Sequence, residues 1–297
     1  MFIISLLADP KKRNLDSERV ADAMRQLGLE HFRWLSEGVA AEFRSVAIPH
    51  NFEELRSGFD EFGFDLNAMP AANRRKKILL ADMDSTMIGQ ECIDELADIA
   101  GVGERVADIT ARAMNGEIGF KSALRFRVEL LAGLDEQIVE RVWRERISIN
   151  PGARELVATM RSNGAYAAIV SGGFTVFAER VAAEAGFDEY KANELISKNG
   201  RLAGYVADPI LGKDAKASFL AATCARLGTD TCEAIAVGDG ANDLSMLKMA
   251  GIGVAYKAKP AVAAQCGIRI NNCDLTALLY LQGYSESEFV TTASSFG

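Results

Sequence analysis

Apolar residues recur along this chain in two rhythms. Short solid runs at Phe2–Leu7, Ile78–Ala81, Tyr166–Val170, Ala234–Val237, Ile252–Ala255 and Ile268–Ile270 predict strands. Between them, apolar positions return at helical spacing. Ser17–Leu27 carries Val20, Ala23, Met24 and Leu27, with Asp16 or Ser17 placed to cap the helix. Beyond Pro151 the alternation is regular. Helices are predicted over Ala153–Ser162, Thr175–Ala185, Asp214–Leu227 and Leu244–Ala250, alternating with the strands, and a last helix over Leu275–Leu281. Lys191–Ile196 and Arg201–Val206 flank Lys198-Asn199-Gly200, which reads as a hairpin turn. Strands alternating with helices imply a doubly wound parallel sheet, an α/β fold.

The first 72 residues follow a different order. Strand Phe2–Leu7, helix Ser17–Leu27, strands Phe32–Leu35 and Val39–Ile48 about a Ser36-Glu37-Gly38 turn, and helix Asn51–Phe62 predict a small α+β unit. Leu66–Arg75, with Pro70, three alanines and two asparagines, reads as a linker, so the division falls at 1–72 and 73–297. The N-terminal unit resembles the ACT-type regulatory fold. ACT domains that bind an amino acid place glycine after the first strand, and Ala8–Asn14 holds none, so packing or homodimer formation is the expected role.

The interval from Asp82 to Ser171 is 89 residues, whereas a plain βαβ unit needs only about 30. Helical patterns fill it at Ile93–Ala100, Val106–Met114, Phe120–Leu131 and Asp135–Arg144, punctuated by Gly101, Gly116 and Gly133. This segment, about 90–150, is expected to form a helical cap over the carboxyl edge of the sheet, closing a water-sensitive site.

Bulk properties narrow the partners. Of 297 residues, 49% are hydrophobic and 25% charged, enough for a substantial core. A net charge of −8 argues against a nucleic-acid binder, and Arg74–Lys77 reads as a solvated lead-in to a strand. Five cysteines without CxxC spacing suit free thiols in a reducing cytoplasm. The N-terminal apolar run is too short for a membrane span and has its basic residues on the wrong side for a signal peptide, so no membrane association is expected.

The candidate chemistry sits at predicted strand ends, where open α/β sheets bind ligands. Ile78–Ala81 runs into Asp82-Met83-Asp84-Ser85-Thr86, and residues two apart in extended chain point the same way. Two such carboxylates need a cation, a shared proton, or both. Ser171-Gly172-Gly173, Lys213/Lys216 and Gly238-Asp239-Gly240-Ala241-Asn242-Asp243 occupy the other strand ends or a helix start facing them. Each alone is unremarkable as a turn, a solvated lysine or a loop.

Together and in this order the four clusters resemble the haloacid dehalogenase (HAD) superfamily, over about residues 78–285. The resemblance implies Asp82 as nucleophile and Asp84 as general acid/base. It implies Mg²⁺ held by Asp82, Asp239 and the Asp84 main-chain carbonyl, with Asp243 and Asn242 in support. Ser171, a glycine N–H and a lysine would hold the phosphoryl oxygens. Chemistry does not choose between Lys213 and Lys216; the family's x-Ala-Lys-x step favours Lys216. A dehalogenase lacks the second aspartate, because a halide leaves without a proton, so Asp84 points to phosphate esters.

Asp84–Ala97, Phe120–Arg127, Ser171–Phe174 and Gly238–Asp243 match more narrowly the phosphoserine phosphatase family. That resemblance implies hydrolysis of O-phospho-L-serine through an aspartyl phosphate, as the last step of serine biosynthesis. Glu91 would take the substrate ammonium and Arg127 its carboxylate. Met114 and Phe120 would be apolar walls, and Ser171, Gly172, Gly173, Lys216 and Asn242 would contact substrate. A zwitterionic ligand wants one anion and one fork-shaped cation, which agrees. Cys92 reads as a packing thiol. Two other readings keep the same motifs: transfer of the phosphoryl group to another hydroxyl amino acid such as homoserine, and a receiver-like protein whose phosphoaspartate is read by a partner.

Overall fold

Asp16 caps the first helix with its side chain, accepting the Arg19 N–H, and Gly28 closes it in the left-handed conformation. The computed structural model to which that helix belongs describes residues 1–114, 117–212 and 214–291; the Met114 side chain lies outside the described residues, as does Lys213. The N-terminal elements are β1 (Phe2–Ala8), α1 (Ser17–Leu27), β2 (Phe32–Ser36), β3 (Ala40–Ser45), α2 (Phe52–Glu61) and β4 (Phe64–Pro70). They form an antiparallel sheet in the order β2-β3-β1-β4, with Ile4, Leu6, Phe43 and Leu66 buried against Val20, Ala23, Phe52 and Phe59 of the helices.

β4 corrects the sequence reading, which placed a linker over Leu66–Arg75. The polar residues that suggest a linker are bonded, not solvated. Asn67 exchanges two bonds with the Arg269 main chain, at 2.8 and 2.9 Å. Asp65 accepts the N–H groups of Asn271, Asn272 and Cys273. The edge of the small sheet is thereby clasped to the edge of the large one.

The remaining elements are β5 (Ile78–Ala81), α3 (Cys92–Ile99), α4 (Gly103–Met114), α5 (Phe120–Glu129), α6 (Gln137–Glu145), α7 (Ala153–Ser162), β6 (Tyr166–Phe174), α8 (Thr175–Ala185), β7 (Glu189–Asn193), β8 (Leu195–Lys198), β9 (Arg201–Val206), α9 (Ala215–Arg226), β10 (Ala234–Gly238), α10 (Leu244–Met249), β11 (Ile252–Tyr256), α11 (Pro260–Ala263), β12 (Ile268–Ile270) and α12 (Ala277–Leu281). Six strands make a parallel sheet in the order β12-β11-β10-β5-β6-β7. Both faces are covered, so β5 is apolar throughout. Leu79 and Ala81 pack with α7, α8 and α12, while Ile78 and Leu80 pack with α9 and α10. Truncating one such leucine to alanine would cost about 2–5 kcal/mol.

The interval after β5 is helical, as the spacing predicts. Its ends meet where Ile88 bridges Ile149 and Gly89 N–H donates to the Ser148 carbonyl. The β8–β9 hairpin also holds it: Leu202 and the Gly133-Leu134 turn exchange two main-chain bonds of 2.8 Å. No helix is long and apolar enough to cross a membrane, among the described residues.

Candidate active site

β5 lies between β10 and β6, so the three strands whose carboxyl ends carry chemistry are neighbours. This is the position at which an open α/β sheet forms its ligand crevice. Asp82 follows β5 directly, its N–H donating to the Val237 carbonyl of β10 at 3.0 Å. Its Oδ1 accepts the Met83 N–H at 2.7 Å, which fixes the carboxylate. Lys216, in the first turn of α9, is buried with its Nζ 2.6 Å from Asp82 Oδ2 and 2.5 Å from Asp243 Oδ1.

Asp239 follows β10, and its Oδ1 accepts the Thr86 hydroxyl at 3.0 Å. Asp243 is fully buried, and its Oδ2 accepts the Gly240 N–H at 2.9 Å. A side chain at Gly238 would collide with the Asp243 carboxyl, so the tight fold of this loop back on itself requires glycine there. Carboxylate oxygens of Asp82, Asp239 and Asp243 lie within 4.8 Å of one another. Asp84 stands apart, half-buried on the cap side. Its Oδ1 accepts the Cys92 N–H at 3.1 Å, and Ser171 Oγ lies 3.5 Å from its Oδ2.

Charge follows from this crowding. Burial pushes the Asp82 carboxyl up and Asp243 adds to the rise, while Lys216 pulls it down. Burial works against the Lys216 ammonium, but Asp82 and Asp243 outweigh it and hold its pKa above the ordinary lysine value. Asp84 is pushed up to about 7, by burial first and then by Glu91. Asp239 rises to about 6, by burial and then by Asp243. A carboxyl near 7 retains a proton to donate, which suits a general acid.

β6 does not stop at Val170. It continues through Ser171-Gly172-Gly173 to Phe174, where the sequence reading placed a turn. Gly173 N–H donates to Ser171 Oγ at 2.8 Å, and a side chain at Gly173 would strike Asp84 Oδ2. Asn193, at the end of β7, is buried, and its amide donates to the Gly172 carbonyl at 2.8 Å. Sequence reasoning did not single out Asn193, although its place at a strand's carboxyl end was a usable signal.

Above these groups lies a cavity of about 640 Å³ whose lining includes Asp82, Asp84, Glu91, Arg127, Asp239 and Asn242. Ser171, Gly172, Gly173 and Phe120 border it too, with the Phe120 ring close over Gly172. Arg127 is half-buried; among the described residues its Nε is buried without a hydrogen-bond partner, and its one side-chain bond is long, 3.4 Å to Thr110 Oγ1. Asp94, Thr110 and Lys259 also line the cavity and were not anticipated. Of the candidate site residues, the Met114 side chain and Lys213 lie outside those described.

Likenesses to known proteins bear on this geometry. The haloacid dehalogenase-like hydrolase pattern matches residues 79–248, and the chain belongs to that family. Within the family, a phosphoserine phosphatase from Streptococcus thermophilus is 47% identical over 200 residues, spanning 67% of this chain and 93% of that protein. One from Archaeoglobus fulgidus is 43% identical over 209 residues, spanning 70% of this chain but only 60% of its own length. The solved structure of a HAD family hydrolase from Salmonella enterica serovar Typhi is 30% identical, with a TM-score of 0.84, covering 95% of this chain and 98% of that one.

Proposed function

We propose that this chain hydrolyses O-phospho-L-serine to L-serine and phosphate. One observation carries the substrate: Glu91 and Arg127, whose Nε has no hydrogen-bond partner among the described residues, border the same cavity as Asp82 and Asp84. An anion and a forked cation beside a nucleophile complement an amino acid esterified to phosphate. The similarity to phosphoserine phosphatases supports the same reading.

Asp82 acts as nucleophile. Its oxygen bonds to phosphorus as the bond from phosphorus to the serine oxygen breaks, giving an aspartyl phosphate. Asp84 gives its proton to the departing alkoxide, then takes one from the water that cleaves the acyl phosphate. Ser171, the Gly172 and Gly173 backbone and Lys216 hold the phosphoryl oxygens, with Asn242 beside them. A cluster of hard oxygen donors suits Mg²⁺. Asp82, Asp239 and the Asp84 carbonyl would hold it, supported by Asp243, and when bound it would neutralise charge on the phosphate dianion.

The division proposed is an ACT-like unit over 1–72 and a phosphatase core over 73–297, with the cap at about 90–150. β2 is an outer edge of the small sheet with Phe32 exposed, which supports pairing of two chains through this unit. Five free cysteines support a reducing, cytoplasmic setting.

The test is phosphate release from phosphoserine, phosphothreonine, phosphoglycolate and sugar phosphates, with Mg²⁺ and with EDTA. Phosphoserine is expected to lead by at least about tenfold, with activity lost in EDTA. Preference for a substrate without an amino group would overturn the assignment. Phosphohomoserine appearing when homoserine is added would redefine the reaction as phosphoryl transfer.

A further inference from the structure

Ser85 sits between Asp84 and Thr86 and takes no part in the chemistry above. Its φ is 55°, in the left-handed region that glycine enters freely and a side-chain-bearing residue enters at a cost. Two bonds hold it there. Its N–H donates to the Gln90 carbonyl at 3.1 Å, and its Oγ donates to Glu91 Oε1 at 2.7 Å. Thr86 turns its hydroxyl the other way, to Asp239. Neighbouring hydroxyls thus serve opposite sides of the site.

Glu91 needs such a partner. It is exposed, and although it stands at the N-cap of α3 its carboxylate makes no capping bond. A free glutamate side chain samples several rotamers, and ordering one on binding subtracts from affinity. We propose that Ser85 is a positioning residue for amine recognition: its hydroxyl holds Glu91 Oε1 and leaves Oε2 free for the substrate ammonium. This rests on the reading of Glu91 as the ammonium acceptor. A neutral donor is the right chemistry, because a lysine or arginine in its place would cancel the charge that attracts the amine. The left-handed backbone aims the hydroxyl, which accounts for serine at a position sterically suited to glycine.

The experiment compares O-phospho-L-serine with 3-phosphooxypropanoate, which has the same ester and carboxylate but no amine. Ser85→Gly keeps the left-handed backbone and removes the hydroxymethyl group. Its KM for phosphoserine is expected to rise about tenfold, with kcat within about twofold. The amine-free substrate should be unaffected and the melting temperature not lowered. Ser85→Ala should give the same KM change, and adding either substitution to Glu91→Gln should produce no further loss. Equal effects on both substrates would overturn the proposal. So would an unchanged phosphoserine KM in Ser85→Gly and Ser85→Ala while Glu91→Gln raises KM for phosphoserine and not for the amine-free substrate. If Glu91→Gln changes both substrates alike, the ammonium assignment falls, and the role of Ser85 with it.

Discussion

The ammonium of Lys216 lies 2.6 Å from the carboxylate of Asp82, with both side chains almost fully buried. Its other contact, Asp243 Oδ1 at 2.5 Å, makes it the bridge between two acids that would otherwise repel. A charge buried in this way stabilises only as part of its set, and removing one member leaves the others uncompensated.

Lys216→Ala is therefore expected to destabilise the fold by about 3–5 kcal/mol in the absence of divalent cations. Added Mg²⁺ should recover more stability in the variant than in the parent, because it replaces a missing cation. Thermal melts with and without Mg²⁺ check this; an identical metal response in the two proteins contradicts it.

Asp82→Asn should remove the nucleophile with the fold kept, since Asp243 still compensates the Lys216 ammonium and the amide oxygen can still accept the Met83 N–H. Phosphate release is expected to drop by about a thousandfold or more. Full turnover in that variant would end the assignment.

The raised pKa of Asp84 sets a pH limb. Its carboxyl holds a proton up to about 7, so the general acid is loaded below that pH and empty above it. Single-turnover formation of phosphoenzyme should decline as pH rises through 7, and Asp84→Asn should abolish the limb. Rapid-quench measurements from pH 5 to 9 decide it, and a rate that climbs across that range would reassign the acid.

Arg127→Ala should raise KM for phosphoserine by about 10–100-fold, because a forked, partly buried guanidinium loses its carboxylate. p-Nitrophenyl phosphate has no carboxylate to lose and should change by less than about threefold. Equal losses would mean that the cap does not read the amino acid.

Asp65→Asn tests the seam between the two sheets. Three main-chain N–H groups converge on this carboxylate, and an amide can accept with only one oxygen. A loss of about 2 kcal/mol in chemical denaturation is expected. An unchanged midpoint would show that the clasp does not contribute to stability.

Much of this protein is legible one segment at a time. Ile78–Ala81 is a strand because four apolar residues must be buried on both faces, and its end places Asp82 at the sheet's edge whatever follows. The cap is legible as length alone, since 89 residues cannot be spent on a plain crossover. These properties are local, and the chain carries them in its own periodicity. Other features exist only between distant residues. Asn67 looks like a linker residue, and Asp65 has no evident role, until the main chain about 200 positions later supplies their partners. Ser171–Phe174 looks like a turn until Asn193 ties down the Gly172 carbonyl. The ion set of Lys216, Asp82 and Asp243, and the hold of Ser85 on Glu91, are likewise products of distance and direction. Such bonds depend on ångström-scale approach that no spacing along the chain encodes, so only the folded structure decides them.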